Sequence, residues 1–198
     1  MRLGLLFPGQ GTLATGMGRG LAHAHPAVRR ALDTAGARVG FDVERLGREG
    51  PADELVSTAR AQLVVTAWNL ALLAALDLPP DAVVAVAGHS AGELSALAGA
   101  GALDAGAVLD LAAERTRAMV AAGARGGMLA VVGPPVAEVA RALPPAGAPA
   151  LAVVNGSTSV VLSGDDAELA AATEALRPTG ARCRRLARGS HRWAAGRA

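Results

Sequence analysis

The sequence predicts an α/β protein in two parts, the first built on a parallel sheet and the second on a small antiparallel one. Three observations predict it. Two short apolar runs, RLGLLF at the start and VVAVAG before His89, each end at a glycine-bracketed turn, as strands of an α/β sheet do. Longer alanine- and leucine-rich stretches around them carry helical patterns. From Gly127 onward the texture changes to short β-branched runs that alternate with two helical patterns.

Taken in order, RLGLLF is a first strand, ended by Pro8-Gly9-Gln10-Gly11, whose proline and glycines demand a turn. Gly18 to about Ala35 is helical in pattern, with Pro26 marking a break or a new first turn. A further helix fits Ala61 to Leu76, and PPDAVVAVAGHSAGELSALAG then reads as strand, sharp turn and helix. Asp104 is a candidate N-cap for a helix to about Ala122, in which Val108, Leu111, Ala112, Arg115 and Met119 share one face. Arg115 on a buried stripe calls for an anionic partner, because an unpaired buried guanidinium costs several kcal/mol, roughly. Snorkelling or an internal carboxylate is the structural alternative.

After a boundary placed near Arg125 to Gly127, the elements run MLAVVG strand, PPVAEVARAL helix, LAVVNG strand, STSVVLSG strand, DDAELAAATEALRPTG helix and ARCRRLA strand. That order is βαββαβ, the ferredoxin-like unit in which two helices cover one face of a four-stranded antiparallel sheet.

Composition narrows the classes. At 198 residues, 52% hydrophobic, the chain can bury a sizeable core, and with two Phe, two Trp and no Tyr that core is built from small aliphatics. No uninterrupted apolar stretch reaches the length of about 20 residues that spans a bilayer, and Pro8 and Gly9 interrupt any signal-peptide core; the expected address is the cytoplasm. A single cysteine, Cys183, excludes an internal disulfide framework, and without Cys/His pairs at ligand spacing no metal site is expected. All 19 basic residues are arginine, and seven of them follow Leu176 with no acid among them, so the basicity belongs to the C-terminal end. Such a cluster suits an acidic partner or nucleic acid, or is simply an Arg/Ala/Gly-rich end.

Gly88-His89-Ser90-Ala91-Gly92 is G-x-S-x-G between a strand and a helix, where a serine sits on a strained elbow between small neighbours. The helix that follows offers backbone N–H groups and a positive dipole end to an oxyanion beside Ser90. A serine nucleophile needs a base, and the histidines are His23, His25, His89 and His191. His23 and His25 lie at a polar helix start, His89 should diverge from its neighbour, and His191 follows the last strand of the small unit. The Phe7–Gly11 turn belongs to the same strand edge, and its N–H groups are suited to complete an oxyanion hole with that of Ala91.

Together these residues resemble the malonyl-CoA:acyl carrier protein transacylase family and related acyltransferase domains of polyketide and fatty-acid synthases. The resemblance is carried in order by LLFPGQG at 5–11, Gly16-Met17-Gly18, Gln62 in TARAQ, GHSAGE at 88–93, Arg115 with Met119, GGMLAVVG at 126–133, NGSTSVVLSG at 155–164 and Ser190-His191. It implies an α/β-hydrolase-like large subdomain, residues 1–125 and 190–198, with an inserted ferredoxin-like subdomain at 126–189. It also implies that the C-terminal part of the large subdomain is missing. Leu63 stands where the family often has proline, Leu13 where it often has glutamine, and Arg192 and Trp193 where apolar residues usually follow the histidine.

The resemblance further implies residue roles. Ser90 is the acyl-accepting nucleophile and His191 its general base; Gln10 and Ala91 are the oxyanion-hole donors. Arg115 pairs with the malonyl carboxylate, and Gln62 and Asn155 line the site. Malonyl-CoA is then a substrate, no cofactor is bound, and the partner is a phosphopantetheinylated acyl carrier protein, without nucleic acid or membrane. Two other readings compete: a serine esterase or thioesterase of α/β-hydrolase type, which shares the elbow but usually carries an HGGG-type loop where FPGQG stands, and an inactive fragment or interaction subunit.

Overall fold

The structure is a computed structural model, which describes residues 2–121, 126–144 and 147–186. The chain divides into two compact units, Met1–Ala121 and Ala122–Ala198, a few residues ahead of the expected boundary.

In the first unit β1 (Leu3–Phe7) is followed by helices α1 (Leu21–Ala24), α2 (Pro26–Val39), α3 (Val43–Glu49), α4 (Ala52–Val56) and α5 (Thr58–Leu76). Then come β2 (Val83–Gly88), α6 (Gly92–Gly99) and α7 (Ala105–Ala121). Local chemistry sets several ends. Pro26 opens α2, where its missing N–H costs nothing, and Gly40 closes it in the left-handed conformation. Asp42 caps α3 by accepting from the Arg45 N–H at 2.8 Å, and Asp104 caps α7 by accepting from the Ala107 N–H at 2.8 Å, as expected. The short helices α3 and α4 were not expected, because each is too brief to show helical periodicity.

The core lies between α2, α5 and α7, where Val28, Leu32 and Ala35 meet Val64, Ala67, Trp68 and Ala71, with Val108 and Leu109. Every residue from Ala61 to Ala71 is buried, as befits a helix that is apolar nearly all round. The segment Ala59–Leu76 has a mean hydropathy of 1.4, and 61% of it is buried inside the protein. By length and composition it passes as a membrane span, although Arg60, Gln62, Thr66 and Asn69 interrupt it; its burial is that of a core helix. Helix α7 corrects one expectation. Its buried stripe runs through Val108, Leu109, Ala112 and Thr116, whereas Leu111 is 41% exposed and Arg115 half-buried. Packing against both α5 and α2 centres the stripe beside Leu109, which turns Arg115 to its edge.

Strands β1 and β2 pair in parallel, with Phe7 opposite Gly88, so both chains leave the sheet at the same end. The second unit runs β3 (Gly127–Val132), α8 (Val136–Ala142), β4 (Ala150–Gly156), β5 (Ser159–Gly164), α9 (Asp166–Leu176) and β6 (Arg182–Arg185). Its strands are antiparallel in the order β4-β5-β3-β6. The register sets Leu129 opposite Leu162 and Val131 between Val160 and Cys183. These residues form one apolar layer with Val139 of α8 and Leu169, Ala172 and Leu176 of α9. Asp165 and Glu168 make a reciprocal capping box at the start of α9, with bonds of 2.7 and 2.9 Å.

Candidate active site at the elbow after strand β2

The site grows from the ends of β1 and β2. The His89 N–H donates to the Phe7 carbonyl at 3.0 Å, carrying the pairing one residue beyond Gly88. There the chain reverses into α6, and Ser90 takes a φ of +55°, left-handed backbone that a non-glycine residue adopts at a cost of roughly 1–2 kcal/mol. Such strain at a strand-to-helix turn is the mark of a nucleophile elbow, and Ser90 is exposed at its tip.

The flanking glycines are required by space. A Cβ on Gly88 would lie 2.2 Å from the Gly92 carbonyl carbon, and one on Gly92 would lie 2.2 Å from the Phe7 oxygen. The turn after β1 is equally close: a Cβ on Gly9 would lie 2.5 Å from the His89 oxygen and 3.4 Å from the Ser90 Cβ. Gln10, half-buried, follows at the head of a short 3-10 turn, in which the Thr12 hydroxyl donates to the Gly9 carbonyl at 2.8 Å.

At the elbow the Gly92 N–H donates to the His89 carbonyl at 2.9 Å and the Glu93 N–H to the Ser90 carbonyl at 3.1 Å. Ahead of these donors stands the Ala91 N–H, at the positive end of the α6 dipole. The fold therefore sets Gly9, the residue before Gln10, against His89 and Ser90, with Ala91 next in the chain.

Gln62 of α5 reaches α7 at Met119, one helical turn from Arg115. Gln62, 1% exposed, donates through Nε2 to the Met119 sulfur at 3.3 Å, while its Oε1 is buried without a hydrogen-bond partner. Met119 lies one helical turn from Arg115 on α7, so the two residues share a face. Among the described residues Arg115 has no ion-pair partner. Burial pushes its guanidinium below the ordinary arginine value, against the opposing field of Glu93, three residues beyond Ser90.

The remaining expectations fall elsewhere. His23, His25 and His89 are exposed, and Asn155 is exposed on β4 of the second unit. His191 and Ser190 lie outside the described residues. No group of three or more potential metal ligands occurs among the described residues. A groove of about 410 Å³ between α2, α5 and α7, bordered by Arg30, Arg38 and Leu70, includes none of the site residues. Sequence reading missed Asn69, which is 6% exposed and donates to both the Pro8 carbonyl and the Ser95 hydroxyl. Its signal was an amide inside an otherwise apolar run, since a buried polar group implies partners.

Comparison with known proteins gives the family and the fold. Mouse mitochondrial malonyl-CoA-acyl carrier protein transacylase is 42% identical over 135 residues, which cover 65% of this chain and 35% of the mouse protein. A crystal structure of an acyl carrier protein S-malonyltransferase from Vibrio cholerae superposes with a TM-score of 0.85 at 29% identity, over 96% of this chain and 65% of that one. A malonyl-transacylase solved in complex with a type II polyketide acyl carrier protein gives 0.85 at 28% identity, over 96% and 64%. The chain thus spans about a third of the mouse relative and just under two thirds of the solved ones, and it shares their α/β fold. The family model for the acyl transferase domain matches residues 5–191, from β1 through the elbow and across the second unit. The chain belongs to the acyl transferase domain family.

Proposed function

We propose that this chain carries the acyl-transfer site of a malonyl-CoA:acyl carrier protein transacylase, serving fatty-acid or polyketide synthesis in the cytoplasm. The observation that carries the reading is the left-handed Ser90 at the elbow, with Gly9 so near that an added Cβ would lie 3.4 Å from the Ser90 Cβ. The names of the similar transacylases support the choice of malonyl-CoA as substrate and carrier protein as partner.

Ser90 Oγ attacks the thioester carbonyl of malonyl-CoA while its proton passes to His191, which lies outside the described residues. The carbonyl oxygen becomes an oxyanion between the Gln10 and Ala91 N–H groups, where fixed donors are worth more than water. The intermediate collapses, the C–S bond breaks, and CoA leaves with the proton from His191. In the second half-reaction the phosphopantetheine thiol attacks the acyl-serine by the same steps in reverse.

Arg115 holds the free malonyl carboxylate in a bidentate pair, which supplies the anion that its desolvated position lacks. Gln62 lines this end of the site from behind Met119. The reaction as written uses no resident cofactor. In this reading residues 1–125 and 190–198 form an α/β-hydrolase-like subdomain and 126–189 a ferredoxin-like one, which the strand order β4-β5-β3-β6 supports.

The test is direct. Malonyl-CoA should leave a malonyl adduct on Ser90, read by intact mass and peptide mapping, and holo carrier protein should discharge it. A folded chain that forms no adduct would sink the proposal; rapid hydrolysis without carrier protein would replace it with a thioesterase.

A further inference from the structure

We infer that Asn69 is a positioning residue for the oxyanion end of the site, locking the turn after β1 to helix α6 through a single side-chain amide. The inference rests on Gln10 and Ala91 as the oxyanion donors proposed above. Asn69 stands in the middle of α5, inside the continuously buried stretch Ala61–Ala71. An amide there is cut off from water, so the partners its N–H groups find are held by the protein itself.

Its Nδ2 donates to the Pro8 carbonyl at 3.1 Å and to the Ser95 Oγ at 3.2 Å, and Ser95 is 0% exposed. The two acceptors belong to the two segments that carry the donors. Pro8 precedes Gly9, which rests on the His89 carbonyl and Ser90, and Gln10 comes next. Ser95 lies one helical turn beyond Ala91, on the helix that Ala91 begins. Proline has no N–H to join the β1–β2 ladder, so its carbonyl is the handle by which the turn can be held.

Helix α5 is a firm anchor for that handle, because Val64, Ala67, Trp68 and Ala71 fix it in the core. Two N–H groups act as one oxyanion hole only when their positions are set to within about 0.5 Å. The Asn69 amide sets that separation from a third element, without touching substrate.

The test uses the full chain and the variants Asn69→Leu, Asn69→Ser and Ser95→Ala. In both Asn69 variants the backbone amides of residues 9–13 should exchange hydrogen faster while the rest of the first unit keeps its protection. Acylation of Ser90 by malonyl-CoA should slow by about 10- to 100-fold with little change in KM, a fraction of the loss of one whole oxyanion donor. Ser95→Ala, which spares the Pro8 bond but cuts the tie to α6, should also slow acylation, by less than the Asn69 variants, while the exchange of residues 9–13 stays near that of the wild type. Unchanged exchange at residues 9–13 overturns the inference. So does acceleration spread over the whole first unit, or acylation by Ser95→Ala at the full wild-type rate, since the amide would then not couple the turn to α6. If the wild-type chain forms no acyl-serine, the proposed function fails, and the exchange of residues 9–13 still decides whether Asn69 holds the turn.

Discussion

Gly92 lies directly against the carbonyl of Phe7: a Cβ added to it would stand 2.2 Å from that oxygen. The first residue of α6 thus packs on the last residue of β1, and the elbow can form only at this separation. Gly92→Ala must push helix and strand apart. We expect it to lower stability by at least about 1–3 kcal/mol, the usual cost of overpacking, and to abolish acylation of Ser90. Gly11→Ala is the comparison, because a Cβ there meets nothing within 4 Å. Denaturant midpoints of the two variants should differ clearly, although both glycines belong to equally conspicuous motifs.

Much of this was legible before the structure, for a physical reason. Strand, tight turn and helix leave strong local marks, so β1, β2, α6 and all six elements of the second unit were readable from residue pattern. Glycines at the elbow were readable as small, but only the fold tells Gly92, against Phe7, from Gly11, in open space. Arg115 was expected within the buried stripe of α7 and sits at its edge, because the stripe's centre is set by where α2 and α5 lie. Asn69 was missed because its partners, Pro8 and Ser95, are distant in sequence and meet it only in the folded chain.

Ser90 separates strain from chemistry. Its φ of +55° costs a non-glycine residue roughly 1–2 kcal/mol, and glycine relieves that cost while alanine does not. Ser90→Gly should therefore be more stable than Ser90→Ala by about 1 kcal/mol, and neither should form an acyl-enzyme. Equal unfolding midpoints would show that the elbow is relaxed.

Arg38 and Asp110 staple α2 to α7 by a bidentate pair of 2.6 and 2.5 Å. The hydrogen bond from Arg38 holds the Asp110 carboxyl below its ordinary value of 3.8. A depressed carboxylate contributes stability that is complete above its unfolded value and disappears as pH falls through the folded one. The stability difference between wild type and Asp110→Asn should thus be constant at neutral pH and vanish in acid below pH 3.8. The pair is exposed, so the difference should be small and should shrink with salt. Melting curves across pH and ionic strength check both dependences.

Arg115 pits stability against selectivity. Its guanidinium is half-buried with no ion-pair partner among the described residues, and burial lowers its pKa despite the field of Glu93. Replacement by a long apolar side chain removes a desolvated charge and keeps the volume. Arg115→Met should leave stability unchanged or raise it by up to about 1 kcal/mol, as removal of desolvated charges often does. The same change deletes the cation proposed to hold the malonyl carboxylate. A charge-assisted hydrogen bond is worth about 1.5–3 kcal/mol, so the ratio of kcat/KM for malonyl-CoA over acetyl-CoA should fall by about 10- to 100-fold. Arg115→Lys keeps the charge but loses the bidentate fork, and its selectivity should fall between the two. If Arg115→Met instead destabilised the chain and left selectivity intact, Arg115 would be a packing residue, and the malonyl carboxylate would have to be held elsewhere.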